Sequence, residues 1–284
     1  MSTPFATREP LPTQAVPQAR PRIVDTLTLG VRRGRAVKRT VLLVGVLAAL
    51  SAGAYVLPGG SIMRRMVGGR EELQLFTLKA DGSLHFYGPG VKEAGAALGL
   101  PADRPELEAD GSVLLKLPSR CRFEAKAVEG NTVASVSSGG RKRLEGTEIP
   151  ALSEAIQQVC ALLAMRADSA VEGREVLEAH LRSLGIEPRT TSLGRFDGEV
   201  VYVLGTPGEA KPQFWVYKEG FRPARLRYKD GKGTAWDVRF LDYTSPATGE
   251  MLPRTLEVWR GSERVMRFTA LTGDTRAKLA DTLF

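Results

Sequence analysis

From residue 200 to residue 270 apolar and polar positions alternate in short runs, and turn residues separate the runs. They read VVYVLG (200–205), QFWVYK (213–218), ARLRYK (224–229), AWDVRFLDY (235–243), RTLEVWR (254–260) and RVMRFTA (264–270). Each is rich in β-branched and aromatic residues and bounded by Gly, Pro or Asp, which is the local signature of antiparallel strands joined by turns. A strand points successive side chains to opposite faces. Trp236, Val238 and Phe240 therefore make one apolar face, with Asp237 and Arg239 opposite. Phe214, Trp215, Val216 and Tyr217 are apolar on both faces, so this strand must be covered on both sides or line a cavity on one.

The same pattern precedes them. Residues 75–87, 112–117, 121–127, 132–137 and 142–144 read as strands, with Gly130-Asn131 and Gly139-Gly140 where hairpin turns are needed. Four stretches carry the longer period of a helix. Residues 61–75 offer Ile62, Met63, Met66 and Leu73 as inward positions, and residues 91–98 suffice for one or two turns. Residues 151–165 place Leu152, Ile156, Val159 and Leu163 on one stripe; residues 169–184 do so with Val171, Val176, Leu177 and Leu181, ending at Gly185. These two central helices interrupt a long series of strands and are the natural lid or plug for its apolar face. The chain closes with a turn at residues 272–274 and a short amphipathic piece whose Leu279, Leu283 and Phe284 should tuck into the body. The fold class is mainly β, in the α+β sense.

Charge divides the chain. Of its net +8, residues 1–39 supply +6, from eight basic residues against Glu9 and Asp25; the remainder holds 32 basic and 30 acidic residues. The high pI belongs to this Pro-rich, basic, disordered arm, and the rest has no concentrated basic stripe for nucleic acid. Residues 40–56 follow as an apolar segment, flanked by Arg32 to Arg39 and ending in Ala52-Gly53-Ala54. That order is a secretory signal, and export to the periplasm is the expectation. If uncleaved, the 16 residues 41–56 cover roughly 24 Å of a hydrocarbon core about 30 Å thick, a marginal anchor in the inner membrane. Residues 57–284 form one domain.

Two cysteines, Cys121 and Cys160, are either a disulfide or two buried thiols; an even count in an exported chain favours the bond. No catalytic constellation emerges. His85 lies on a strand and His180 on a helix, Glu175 and Glu178 do not complete H-E-x-x-H, and Gly139-Gly140 lacks the Lys-Ser/Thr of a phosphate-binding loop. The reading is a non-enzyme without metal or cofactor. Arg141 to Arg143 read as a solvated turn or a dock for anionic lipid, and Arg222, Arg225, Arg227 and Arg239 as convex-face charges or a headgroup-facing rim.

At this point the order of elements resembles the LolA/LolB-type periplasmic lipoprotein carriers. DGSVLLKLPSRCRFE (110–124) is similar to that family's strand pair, with Lys116, Pro118, Arg122 and Phe123 at matching places. FWVYKEGFRPARLRY (214–228) is similar to its strand, turn, Pro, strand hairpin, and ADTLF (280–284) to its closing acidic-x-Leu-Phe motif. The resemblance implies a curved, unclosed antiparallel β-barrel with helices plugging its concave face, and an apolar cavity between them for acyl chains of lipid or lipoprotein. Phe214, Trp215, Val216, Tyr217, Trp236, Val238 and Phe240 are the expected cavity wall, with Met63, Met66, Met165 and Met266 as an adaptable lining. By the same resemblance Arg122 latches the helical lid, and a bond between Cys121 and Cys160 would staple part of that lid. The implied role is lipoprotein transport or sorting by a monomer in outer-membrane biogenesis. The alternative is an anchored sensor of envelope stress with a membrane-protein partner.

Overall fold

The computed structural model describes residues 56–72, 75–165 and 169–284. The basic arm, all but the last residue of the apolar segment, and Leu73 lie outside them. Twelve strands form one antiparallel sheet: β1 (Thr77–Tyr87), β2 (Glu106–Lys116), β3 (Arg120–Lys126), β4 (Thr132–Ser138), β5 (Arg141–Glu145), β6 (Thr191–Phe196), β7 (Glu199–Leu204), β8 (Gln213–Tyr217), β9 (Pro223–Lys229), β10 (Ala235–Leu241), β11 (Thr255–Arg260) and β12 (Glu263–Asp274). Their order is β5-β4-β3-β2-β1-β12-β11-β10-β9-β8-β7-β6. Each strand pairs with its sequence neighbour except at two places. After β5 the chain leaves for two helices and returns at the opposite edge, and the last strand closes against the first, with Leu84 opposite Phe268. β5 and β6 are the two edges, so the barrel is unclosed.

Among the described residues four α-helices accompany the sheet: α1 (Gly59–Glu72), α2 (Pro89–Leu98), α3 (Pro150–Leu163) and α4 (Ala170–Ser183). None among the described residues is long and apolar enough to cross a membrane. α3 packs on β3 and β4 from one side and on β10, β11 and β12 from the other. The intervening middle of the sheet curves away around it, and this places α3 in the concavity. α1 and α4 pack on one another, and Arg260 of β11 grips Glu93 of α2 through both guanidinium nitrogens, at 2.7 and 2.8 Å. Between β1 and β12 the register shifts at Gly82, where a Cβ would stand 2.0 Å from the Thr269 carbonyl oxygen; only glycine lets the two backbones approach this closely.

Several local expectations change. β6 was not legible as a strand, because TSLGRF carries too little apolar alternation to signal one. The turn placed at residues 272–274 is instead the end of β12, held straight by pairing of Thr272, Gly273 and Asp274 with β1. On α4, Leu177 and Leu181 are buried, but Val171 and Val176 are about half exposed, at 53% and 52%. That helix buries only a narrow stripe.

Candidate ligand-binding face

The concave face is apolar and filled. Phe214 and Val216 of β8, Trp236, Val238 and Phe240 of β10, and Met266 and Phe268 of β12 belong to one continuous core with Ile156, Val159 and Leu163 of α3 and Met63 and Met66 of α1. Met165 and Met266 are buried in it as well. The expected wall of seven residues thus divides. Five face the helices, and Trp215 and Tyr217 do not: they point to the convex side, in a second cluster with Val201, Val203, Ala224 and Phe196. The reason is the pleat, since cross-strand partners share a face. Phe214 sits opposite Leu204 and Leu226, whereas Trp215 sits opposite Val203 and Arg225. A strand apolar on both faces is here covered by the helices on its concave side, and on its convex side Trp215 is capped by Arg225 at the border of an open recess.

The cover on the convex side is made of arginines. Arg225 lies over Trp215, its Cζ 4.9 Å from the ring centroid, and Arg239 over Trp259 at 4.0 Å. Asp237 accepts two bonds from Arg225 (2.8 and 2.6 Å) and two from Arg239 (3.2 and 3.0 Å). Glu257, also buried, accepts from Arg264 at 2.9 Å and from the Trp259 indole N–H at 3.0 Å. Of the arginine cluster read from the sequence, Arg225, Arg227 and Arg239 therefore occupy the convex face, and Arg222 belongs to the β8–β9 turn. Recesses of about 710 and 560 Å³ open on this outer side, the first beside Gly194, Trp215 and Arg227, the second beside Gly111, Arg122 and Leu283.

Among the described residues, Arg122 has its partners on the outer face of the sheet and at the C-terminal segment. Cys121 on β3 bonds Cys160 on α3, with Cα atoms 5.7 Å apart, so Cys121 points into the concavity and period two turns Arg122 outward. Its guanidinium meets Glu124 (2.9 Å), Glu145 (2.7 Å) and the Leu283 carbonyl (3.3 Å). Hydrogen bonding to Arg122 holds the Glu145 carboxyl below its ordinary range. Nearby, Asp281 accepts from Lys116 (2.6 Å) and Arg120 (2.5 Å). The basic residues of the 110–124 stretch thus fasten the C-terminal segment to the outside of the sheet, and Leu279, Leu283 and Phe284 are partly buried there.

Besides the apolar core and the disulfide, a polar linkage joins the helices to the sheet. The Gln158 amide N–H donates to the Tyr228 hydroxyl (3.1 Å), which donates to the Glu154 carboxylate. With its N–H so used, the amide oxygen of Gln158 accepts from His180 Nε2–H at 3.0 Å. One chain of hydrogen bonds thereby links α4, α3 and β9. Gln158 is 3% exposed, and burial lowers the His180 imidazole below its usual range and raises Glu154 above the usual carboxylate range. The available signal was Gln158 itself, a polar residue beside the Val159 stripe. Ser135 and Ser153 add a buried contact between β4 and α3 at 3.0 Å. His85, on the outer face, hydrogen-bonds Glu106 at 2.6 Å.

No family model matches the chain, and no curated protein matches it in sequence. Solved structures similar to it include a LolA superfamily protein from Nitrosomonas europaea, at 15% identity and a TM-score of 0.47, covering 81% of this chain and 98% of that one. Another is a putative outer membrane lipoprotein-sorting protein domain from Vibrio parahaemolyticus, at 13% identity and a TM-score of 0.38, covering 77% and 94%. A third is the MucA/MucB complex of Pseudomonas aeruginosa, at 13% identity and a TM-score of 0.28, covering 80% of this chain and 60% of that one.

Proposed function

We propose that residues 57–284 are a non-enzymatic periplasmic module that binds acyl chains of lipid or lipoprotein between the concave face of the sheet and its helices, in envelope lipoprotein transport or sorting. The observation that carries this reading is the asymmetry of the cover. A large apolar concave wall is closed by helices rather than by a second sheet, and those helices are fastened unequally. α3 is bonded covalently to β3 through Cys121 and Cys160. α4 is tied to α3 through a side-chain hydrogen bond, His180 to Gln158, and not covalently. A ligand would displace α4 and its neighbour α1, and Met63 and Met66 on α1 have the flexible side chains to re-pack around it.

The energetics suit a carrier. Burying a chain of about 14 methylenes at ~0.8 kcal/mol each releases on the order of 11 kcal/mol. The filled ground state offsets part of that gain, because core contacts must be given up to admit the chain, and this makes release feasible. The second reading, an inner-membrane-anchored sensor with a membrane-protein partner, is favoured by the apolar segment at residues 40–56 if it is retained. Fractionation with N-terminal sequencing separates the two, since a soluble product beginning near Tyr55 removes the anchored form.

The decisive test of binding is native mass spectrometry of the gently purified full chain, together with titration of a fluorescent fatty-acid probe. Co-purified lipid and probe binding that Phe214→Asp abolishes and Trp215→Asp leaves intact are the expected results. Absence of both lipid and probe binding overturns the proposal.

A further inference from the structure

Where the end of α1 meets the β8–β9 turn and the β10–β11 connection, a partly open cavity of about 50 Å³ is lined by Met66, Arg70, Leu163, Phe221, Arg222 and Glu250, among others. Both terminal nitrogens of Arg70 and the Nε of Arg222 are buried with no hydrogen-bond partner, and so is the hydroxyl of Tyr243. Tyr243 stands beside both cations. The Arg222 Cζ is 5.0 Å from its ring centroid, and its hydroxyl interacts electrostatically with Arg70. Among the described residues neither arginine has an ion-pair partner, whereas Arg122, Arg225, Arg239 and Arg260 all do. A third cation, Arg65, lies over Phe221 at 5.1 Å. The turn that presents Arg222 is itself tightly specified, with left-handed backbone at Gly220 and Phe221 (φ 75° and 50°).

A buried guanidinium left without hydrogen bonds or a counter-charge is expensive, and native proteins seldom leave one so. Burial has already pushed Arg70 down to about 10. Water could satisfy the donors but not the charge. From these unsatisfied donors, with Arg70 and Arg222 lining the cavity from two separate elements and the Tyr243 hydroxyl next to Arg70, we infer that the pocket is a binding site for a single oxyanion group, of phosphate or phosphate-monoester chemistry. The Arg70 fork supplies paired parallel donors suited to such oxygens, Arg222 Nε–H adds a third, and the buried Tyr243 hydroxyl stands behind them beside Arg70. A single water needs roughly 10–15 Å³ of such space, so a cavity of this size has room for a small group. The site clamps the end of α1 onto the sheet. Its occupancy therefore stabilises the one helix that leads into the chain from the apolar segment.

The test is the unfolding temperature of the full chain titrated with inorganic phosphate against sodium chloride at matched ionic strength. The expected result is a saturable rise with phosphate only. Arg70→Met and Arg222→Met should each weaken the phosphate midpoint by at least about tenfold, since a charge-assisted pair is worth roughly 1.5–3 kcal/mol. Arg70→Met should be no less stable than the parent without phosphate, because it removes a buried unpaired charge, and this guards against a variant that merely misfolds; Tyr243→Phe gives a second, milder weakening. A short-chain phosphatidic acid that competes with phosphate assigns the group to a lipid headgroup, and phosphate binding without such competition assigns it to the free ion. No saturable rise in the parent, or a rise unchanged in both arginine variants, overturns the inference.

Discussion

Replacing Cys121 and Cys160 together by alanine separates what holds α3 from what moves. The cross-link joins residues 39 apart in sequence, and the chain-entropy relation gives a loss of about 3 to 4 kcal/mol for a loop of that length. Both positions are buried in the core, so the missing sulfurs leave small voids that add to the loss. For a domain of this size each kcal/mol lowers the unfolding temperature by roughly 2–4 °C, which makes the expected fall about 6 to 16 °C. Circular dichroism melts of parent and double variant measure it. The same pair of proteins tests the mode of access, by the rate at which a fluorescent fatty acid is taken up. If ligand displaces α1 and α4 while α3 stays in place, uptake changes by no more than about twofold, since a ligand shifts only the equilibrium whose states it distinguishes. A stability loss below about 1 kcal/mol would show that packing alone holds α3 and that the entropy argument fails here. Uptake faster by tenfold or more would make α3 the moving cover and refute the proposed route.

Asp237→Ala strips the shared acceptor from Arg225 and Arg239, whose side chains are only 18% and 22% exposed; it should cost about 2 to 4 kcal/mol by urea denaturation, and much less in an Arg225→Met background where one unpaired charge is already gone. His180 titrates below its ordinary value of 6.5 because it is buried, so the unfolded chain binds the extra proton first. Stability should therefore fall as pH drops below 6.5, and His180→Gln should remove that slope, measured by denaturation at steps between neutral and mildly acid pH. Glu154, raised by burial, acts in the opposite sense: its folded form takes up a proton before the unfolded one, so the stability it contributes is present below its unfolded value of 4.5 and is lost as pH rises through its higher folded value. Glu154→Gln should remove that part of the profile. Finally, Arg122→Met should loosen the C-terminal segment, seen as faster amide exchange at residues 279–284, without altering probe binding.

The amino-acid pattern by itself determined most of the architecture. Period-two alternation located eleven of the twelve strands, because half-buried strands such as β10 must separate Trp236, Val238 and Phe240 from Asp237 and Arg239. Helical spacing likewise found α3, whose stripe is wide and fully buried. It misassigned Val171 and Val176 on α4, since a helix that packs by one edge buries fewer apolar residues than its periodicity offers. Nor could it give β6, whose strand state comes from six backbone pairings with β7 rather than from its own side chains.

Only the tertiary structure decided the rest, because each remaining question turns on which strand lies opposite which. The doubly apolar β8 looked the same on both faces until pairing with Val203 and Arg225 sent Trp215 outward and pairing with Leu204 and Leu226 sent Phe214 inward. Arg122 sits one residue from Cys121, and the bond of Cys121 to α3 fixes its neighbour on the outer face, away from the helices. The linkage of Glu154, Tyr228, Gln158 and His180, and the pocket shared by Arg70 and Arg222, gather residues from elements far apart in sequence. Local pattern reports the company a residue keeps along the chain, and those side chains meet only where the sheet curves around its helices.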